Sequence, residues 1–439
     1  MLNSVKVEVQ DEVKMPRVIP FSAILYNPDK VDAGRVMAPP YDIITPPMHE
    51  YLYNMSPYNI VHIDYGKELP GDTEKDNRYT RASGFLVVWL KQGILIRDSR
   101  PAFYCYEIQY SIGPVEKRLR GFIGLVRLEE LEEGRIHPHE NTHPGPKMDR
   151  LNLLKACNAN TSPILSLYSS KEKIVTSILD EVSNEMPFIS AVDLDGFMHR
   201  VWPIKDDVRI RALMTELEGR AIFIADGHHR YETALSFKDE MTARGLLKTG
   251  AEPFNYVMMF LSNMEESGPD RGLTLLPVHR LVKEMKGSID ELQRCFDITP
   301  VNLNGNNEVV IKDRLLSMLK RTGHSFGVYL KTGGCYHIVL RQGLDDMIDA
   351  PPPLRGLDVT ILHKLIFENL LRVKGIDYEM QPDEAIRRVK GCQYEAAFFL
   401  NPPQVKDVKE VALASERMPQ KSTYFYPKLL TGMVINKFS

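Results

Sequence analysis

Two stretches of this 439-residue chain crowd together side chains that could hold an anion or move a proton. The first is "ADGHHRYETAL", in which Asp226, Gly227, His228, His229 and Arg230 follow one another. Glycine permits a tight turn there and a close approach to the backbone. If a helix follows, its first N–H groups are unpaired and, with the helix dipole, form a ready anion site. His228, His229 and Arg230 add donors at that same end. Cations at a helix N-terminus oppose the dipole at about 0.3–1 kcal/mol each, and a bound phosphate reverses that cost. Asp226 could then hold Mg²⁺ or orient a hydroxyl. The competing reading is a capped turn, with Asp226 as N-cap and the histidines at the surface.

The second stretch is "HPHENTHPGPKMDR", which holds His137, His139, Glu140, His143, Lys147, Asp149 and Arg150. As a phosphate and substrate loop, it would use Lys147 and Arg150 to bind charge and Glu140 or His139 as base. As a metal site it would use His137, His139 and His143, the basis for a metal-dependent hydrolase. Alternating histidines in an extended segment point to opposite faces, which weakens that idea. A solvated charged loop is the third reading.

Two further segments carry reactive types. "MAPPYDII" sets Tyr41 and Asp42 at a turn fixed by Pro39 and Pro40. It is either a rigid structural corner or part of a site. "RMPQKSTYFYPK" carries Lys421, Ser422, Thr423 and Lys428 among aromatics. It either packs as a C-terminal tail or closes over a ligand as a lid. His279 and His363 read as core or surface histidines. The chain lacks a P-loop, G-x-G-x-x-G, G-x-S-x-G and H-E-x-x-H, which removes the common nucleotide, dinucleotide, hydrolase and zincin assignments.

The elements that must position these residues are legible from pattern. "AIFIADG" reads as a strand and "RYETALSFKDEMTARG" as a helix stopped by Gly245. "PAFYCYEIQYSI" and "KRLRGFIGLVRLEEL" read as a strand pair turned at Gly113-Pro114. "PILSLY", "MHRVWPI", "FNYVMMFLSN" and "YEAAFFLNPP" read as strands, as does "YNIVHIDYG". "DVTILHKLIFENLL" is an amphipathic helix with Asp358 as N-cap. Alternating strands and helices give an α/β or mixed α+β class. We expect an arm over 1–15, an α/β region over 16–130, a core over 131–280 and an α+β module over 281–439.

Bulk properties bound the function. The chain is 43% hydrophobic and 26% charged, a soluble globular composition. A net charge of -3 and a pI near 6.5 advertise no nucleic-acid binding. No stretch approaches the apolar length of a membrane span. Five scattered cysteines without a C-x-x-C pair point to reduced thiols and a cytoplasmic location.

"MAPPYDII", "HENTHPGPKMDRL", "ADGHHRYETAL" and "MPQKSTYFYPKLLTG", in this order, resemble the motifs of the DUF1015 family from about Pro20 to the C-terminus. The family name carries no activity. "ADGHHRYETAL" is also similar to the turn and helix of the ParB/sulfiredoxin-like superfamily, which includes free serine kinases. That resemblance implies a ParB/sulfiredoxin-like core that holds ATP or ADP phosphates at Gly227, His228, His229 and Arg230. Glu140 stands for the catalytic glutamate of the kinases, at a longer separation than their compact pattern. The expectation is Mg²⁺-dependent phosphoryl transfer from a nucleotide to a small hydroxylated metabolite such as serine. The alternatives are a ParB-like regulatory protein that binds or hydrolyses nucleotide, and the metal-dependent hydrolase. A homo-oligomer is left open.

Overall fold

The computed structural model describes residues 17–131, 134–140, 144–266, 268–301, 308–319, 323–344 and 347–438. The expected arm over 1–15 and His143 lie outside the described residues. Nine strands form a large mixed sheet: β1 (Val18–Ile19), β2 (Phe103–Ile112), β3 (Val115–Arg127), β4 (Ile136–His137), β5 (Ile164–Tyr168), β6 (Ile189–Val192), β7 (Met198–Ile204), β8 (Ile222–Asp226) and β9 (Tyr256–Asn263). Their order is β4-β8-β5-β9-β3-β2-β7-β6, with β1 paired to β3. The continuous apolar run of β9 is buried at every position, as its place between β5 and β3 requires. The β2–β3 hairpin turns at Gly113-Pro114, with Ile112 opposite Val115 and Gly113 at φ 56°.

Alternation divides the sheet's side chains between two cores. Ile222 and Ile224 of β8 face one cluster, shared with helical residues Val175, Leu179, Leu213, Leu217 and Tyr231. Phe223 and Ala225 face the other, which also takes in Tyr106 and Phe260. Three helices bear on the site: α1 (Arg78–Lys91), α2 (Pro144–Cys157) and α3 (His228–Ala243).

Strand β10 (Thr274–Leu276) leads to a second, wholly antiparallel sheet. It contains β11 (His279–Glu284), β12 (Phe296–Pro300), β13 (Ser325–Leu330), β14 (Cys335–Leu340), β15 (Lys374–Glu379) and β16 (Ala396–Leu400), in the order β12-β14-β13-β16-β11-β15. The helices Ile361–Leu371 and Pro382–Lys390 share apolar clusters with its opposite faces. The chain then returns. β17 (Tyr424–Tyr426) pairs with β10, and one apolar cluster joins Phe260 of the large sheet to Val282 and Phe398 of the smaller. Strands from both sides of residue 130 share the large sheet, so no sheet closes at that expected boundary.

Two local expectations are corrected. The segment "NIVHID" is a short helix, Val61–Asp64, rather than a strand. Buried Asn59 ties its amide to the Arg35 and Met37 carbonyls and accepts the Val61 N–H. Asp358 is the first helical residue and caps nothing; its carboxylate meets His324 at 2.7 Å. Among the described residues, no helix is long and apolar enough to cross a membrane. All five cysteines are free, and Cys392 alone is exposed.

Candidate functional site

The turn between β8 and α3 is held by Gly227 at φ 99°, ψ 27°, a left-handed conformation that glycine adopts without a Cβ penalty. A Cβ there would meet the Arg230 guanidinium at 2.9 Å. Gly227, not Asp226, is the N-cap, and no side chain caps the helix. Gly227 has no side chain and therefore offers the first N–H groups of α3 no capping acceptor of its own. This decides between the two readings of Asp226 as far as capping goes.

Asp226 is engaged elsewhere. Lys428 Nζ donates to Asp226 Oδ2 at 2.7 Å. Burial alone would raise the Asp226 pKa. The Lys428 ammonium and the Arg230 guanidinium outweigh it and hold the carboxyl below its ordinary value. Lys428 is shifted up by the same pairing, against the opposing effect of its burial. Its ammonium also lies 4.3 Å from the centre of the Tyr424 ring. Arg230 Nη1 donates to Ser162 Oγ at 3.0 Å and to the Pro163 carbonyl at 2.6 Å, while its Nε and Nη2 stay near Gly227.

The "HPHE" segment lies beside the turn because β4 runs parallel to β8. His139 is fully buried. Its Nδ1 lies 2.9 Å from the Ile224 carbonyl and its Nε2 lies 2.9 Å from Thr423 Oγ1. A carbonyl only accepts, so Nδ1 carries the proton and Nε2 accepts from the Thr423 hydroxyl. Burial pushes the His139 pKa down to about 4, so the ring is neutral at physiological pH. The His139 N–H donates to His228 Nε2 at 3.3 Å, and the two rings stand 4.7 Å apart. Burial and the neighbouring His139 push His228 well below the usual range. Glu140 accepts the Lys421 N–H at 2.6 Å. Its carboxyl is raised by burial, against the pull of the Lys421 N–H.

The structure thus gathers Asp226, Gly227, His228, Arg230, His139, Glu140, Lys421 and Thr423 around one turn. The C-terminal segment forms a strap over it. Met418 N–H donates to the His139 carbonyl at 2.8 Å, Ser422 Oγ donates to the Pro419 carbonyl, and Lys428 closes on Asp226. These contacts show the segment packed against the turn. His229 lies half-buried at the same helix start.

Other expected residues are committed elsewhere. Lys147 donates to Glu232 at 2.9 Å, one turn along α3. Arg150 is buried and gives its donors to Asp149 and Asp64, 4.0 Å over the Tyr41 ring. Both cations are therefore already neutralised. Burial pushes Tyr41 up to about 12, with Arg150 opposing. Asp42 follows Tyr41 in a short 3-10 turn set by Pro40, near enough to raise the pKa of Lys428. The three-histidine metal reading fails for the described pair. The His137 ring stacks on Phe223 and hydrogen-bonds the backbone at Ala412, while His139 spends both nitrogens on other partners. Among the described residues no three His, Cys, Asp or Glu side chains converge to hold a metal.

Lys428 is the main residue whose role sequence reading missed. It was visible as a lysine among aromatics, but its partner lies 202 positions away. Arg280, which donates to the Lys421 carbonyl on the strap, and His363, which accepts from Arg280, gave no spacing signal at all. A cavity of about 460 Å³ opens elsewhere, between Gln109–Arg118, Gly196–Met198 and Asp270. None of the turn residues lines it, and its charges are mixed.

No curated protein matches the chain. Several solved structures are distantly similar. A free serine kinase in complex with AMP is 12% identical, with a TM-score of 0.33, covering 70% of this chain and 92% of its own. SbnI with a C-terminal truncation, from Staphylococcus aureus, is 12% identical, with a TM-score of 0.33, covering 70% and 85%. A conserved hypothetical protein from Pyrococcus furiosus is also 12% identical, with a TM-score of 0.33, covering 70% and 95%. The sequence itself is decisive about the family: the model described as "Protein of unknown function (DUF1015)" matches residues 18–360, and the chain belongs to that family.

Proposed function

We propose that this chain is a nucleotide-dependent phosphotransferase acting on a small hydroxylated metabolite, with serine among the acceptors. The reading is carried by one observation: Gly227 leaves the start of α3 without a side-chain cap, with the Arg230 guanidinium beside Gly227 and the Lys428 ammonium on Asp226. A helix start with no side-chain cap from Gly227, the helix dipole and fixed positive charge together suit a phosphate. Gly227, His228, His229 and Arg230 bind the phosphates in this reading, and Lys428 offsets charge that develops in transfer. Glu140 takes the acceptor's hydroxyl proton. Its raised pKa, caused by burial, brings it nearer the range a general base needs.

Mg²⁺ usually needs only one or two carboxylates, because the nucleotide's phosphates and water complete its shell. Asp226 fits that sparse demand. Oδ2 is held by Lys428, so Oδ1 is the oxygen Asp226 would offer. Bound there, Mg²⁺ would neutralise phosphate charge. Lys147 and Arg150 lie outside the phosphate set on this reading, since Lys147 reaches Glu232 farther along α3 and Arg150 is turned to Asp64 and Asp149, away from the Asp226–Lys428 pair.

The test is a calorimetric titration of the full chain with ATP and ADP, followed by mass spectrometry of a metabolite pool incubated with ATP. Binding is expected in the wild type, and Arg230→Ala and Lys428→Met are each expected to weaken it about tenfold or more, near 1.4 kcal/mol. Unchanged affinity in both variants would sink the assignment. Nucleotide hydrolysis with no phosphorylated metabolite would leave a ParB-like regulatory protein instead.

A further inference from the structure

Thr423 is the hydroxyl that the fold delivers to a base. It sits on the strap, buried, and its O–H donates to His139 Nε2 at 2.9 Å. His139 is locked as the acceptor tautomer by the Ile224 carbonyl on its other nitrogen. Its ring in turn stands 4.7 Å from that of His228, the first residue of α3. The neighbouring hydroxyl provides a contrast: Ser422 donates to the Pro419 carbonyl, which holds the strap but cannot accept a proton in chemistry. A hydroxyl on a neutral, water-excluded imidazole is the arrangement that activates an oxygen nucleophile.

We propose that Thr423 is a covalent phosphoryl acceptor in this protein, with His139 as its base and the nucleotide at the Asp226–Arg230 turn as donor. The proposal rests on the phosphotransferase reading above. In the first half-reaction the bond from Thr423 Oγ to the terminal phosphorus forms. The bond from that phosphorus to the bridging oxygen breaks, and the nucleotide leaves one phosphate shorter. The Thr423 hydroxyl proton passes to His139 Nε2. In the second half-reaction the acceptor's hydroxyl oxygen attacks the phosphorus and gives its proton to Glu140. The Oγ–P bond breaks, and His139 returns its proton to Oγ. Glu140 then releases one proton to water, so each cycle yields one phosphorylated product and one proton.

The strap geometry assists this step. Lys421 N–H to Glu140, Met418 N–H to the His139 carbonyl, and Lys428 to Asp226 fix the segment on both sides of Thr423. A nucleophile held in place at both ends loses little entropy on reaching the transition state.

The experiment incubates the full chain with ATP labelled in its terminal phosphate, without acceptor. The protein is then denatured in acid, digested and mapped by mass spectrometry. Label on Thr423 is expected in the wild type, retained in Thr423→Ser and lost in Thr423→Val. Nucleotide binding is measured in parallel. Bound ATP and a phosphorylated metabolite with no label on Thr423, or label on Ser422 or any other hydroxyl instead, overturns the covalent step alone. Absence of ATP binding overturns the phosphotransferase reading with it. Because the wild type gives the primary readout, the result stands even if Thr423→Val folds poorly.

Discussion

Asp226 and Lys428 form an ion pair at the turn, and its side chains are only 22% and 12% exposed. Removing one partner leaves the other charge poorly solvated, a cost of about 3 kcal/mol for a pair of this burial. Lys428→Met and Asp226→Asn are each expected to destabilise the chain by about that amount in urea unfolding. The double variant should cost about 1–3 kcal/mol less than the sum, because the second change removes the orphan left by the first. Strict additivity would show that the contact contributes nothing. His279 carries the opposite lesson. It is fully buried with neither ring nitrogen hydrogen-bonded, packed 4.9 Å from the Phe399 ring, and burial pushes it down to about 3. The unfolded chain protonates near 6.5, so stability is full above that value and declines as pH falls from it toward 3. His279→Leu should therefore gain about 2 kcal/mol more over wild type near pH 5 than near pH 8. An equal gain at both pH values would assign the effect to packing. Sequence alone had placed His279 as an ordinary core or surface histidine. A missing partner is invisible in sequence, for the same reason that the partner of Lys428 was.

Elements were most readable where apolar period and punctuation agree within one short stretch. The β8–α3 unit is such a case: four apolar or small residues, an acid, a glycine, then a helical run ended near Gly245. The β2–β3 hairpin is another, with its turn at Gly113-Pro114. The Val61–Asp64 helix was not readable, because Asn59 fixes it through carbonyls at Arg35 and Met37 that are more than twenty positions upstream. The turn itself supports a direct test. Gly227 at φ 99° is a conformation that costs a non-glycine residue about 1–3 kcal/mol, and a Cβ would also press on Arg230. Gly227→Ala should lose stability in that range and shift Arg230 from Ser162 and Pro163. Its loss of nucleotide affinity should match that of Arg230→Ala, measured by the same titration. A stable Gly227→Ala protein with unchanged affinity would mean that neither the turn nor Arg230 shapes the site.

At the scale of the whole molecule, the site is built from three distant parts of the chain: β4 with Glu140, β8 with the start of α3, and the strap after Met418. The second sheet enters through Arg280. Its guanidinium is fully buried. It donates to His363 Nε2 at 3.0 Å, to the Val278 carbonyl at 2.5 Å, and to the Lys421 carbonyl on the strap at 3.1 Å. Burial pushes its pKa down to about 10, so at neutral pH the charge persists and the donors stay in use. Arg280 thus couples the smaller sheet to the strap, and the strap couples to the large sheet through Glu140, His139 and Asp226. The smaller sheet is then more than an appended module, because Arg280 anchors at Lys421 the strap that also carries Lys428. Removing Arg280 should loosen the strap before it unfolds either sheet. In Arg280→Leu, the Lys421 amide that Glu140 accepts should exchange with solvent about tenfold faster or more, a local opening eased by about 1.4 kcal/mol. Amides in β9, buried along its whole length, should keep their protection. Nucleotide affinity should fall in step with the Lys421 exchange rate, since Lys428 rides on the same strap. Equal acceleration in β9 and at Lys421 would instead make Arg280 a general stability residue, with no special hold on the site.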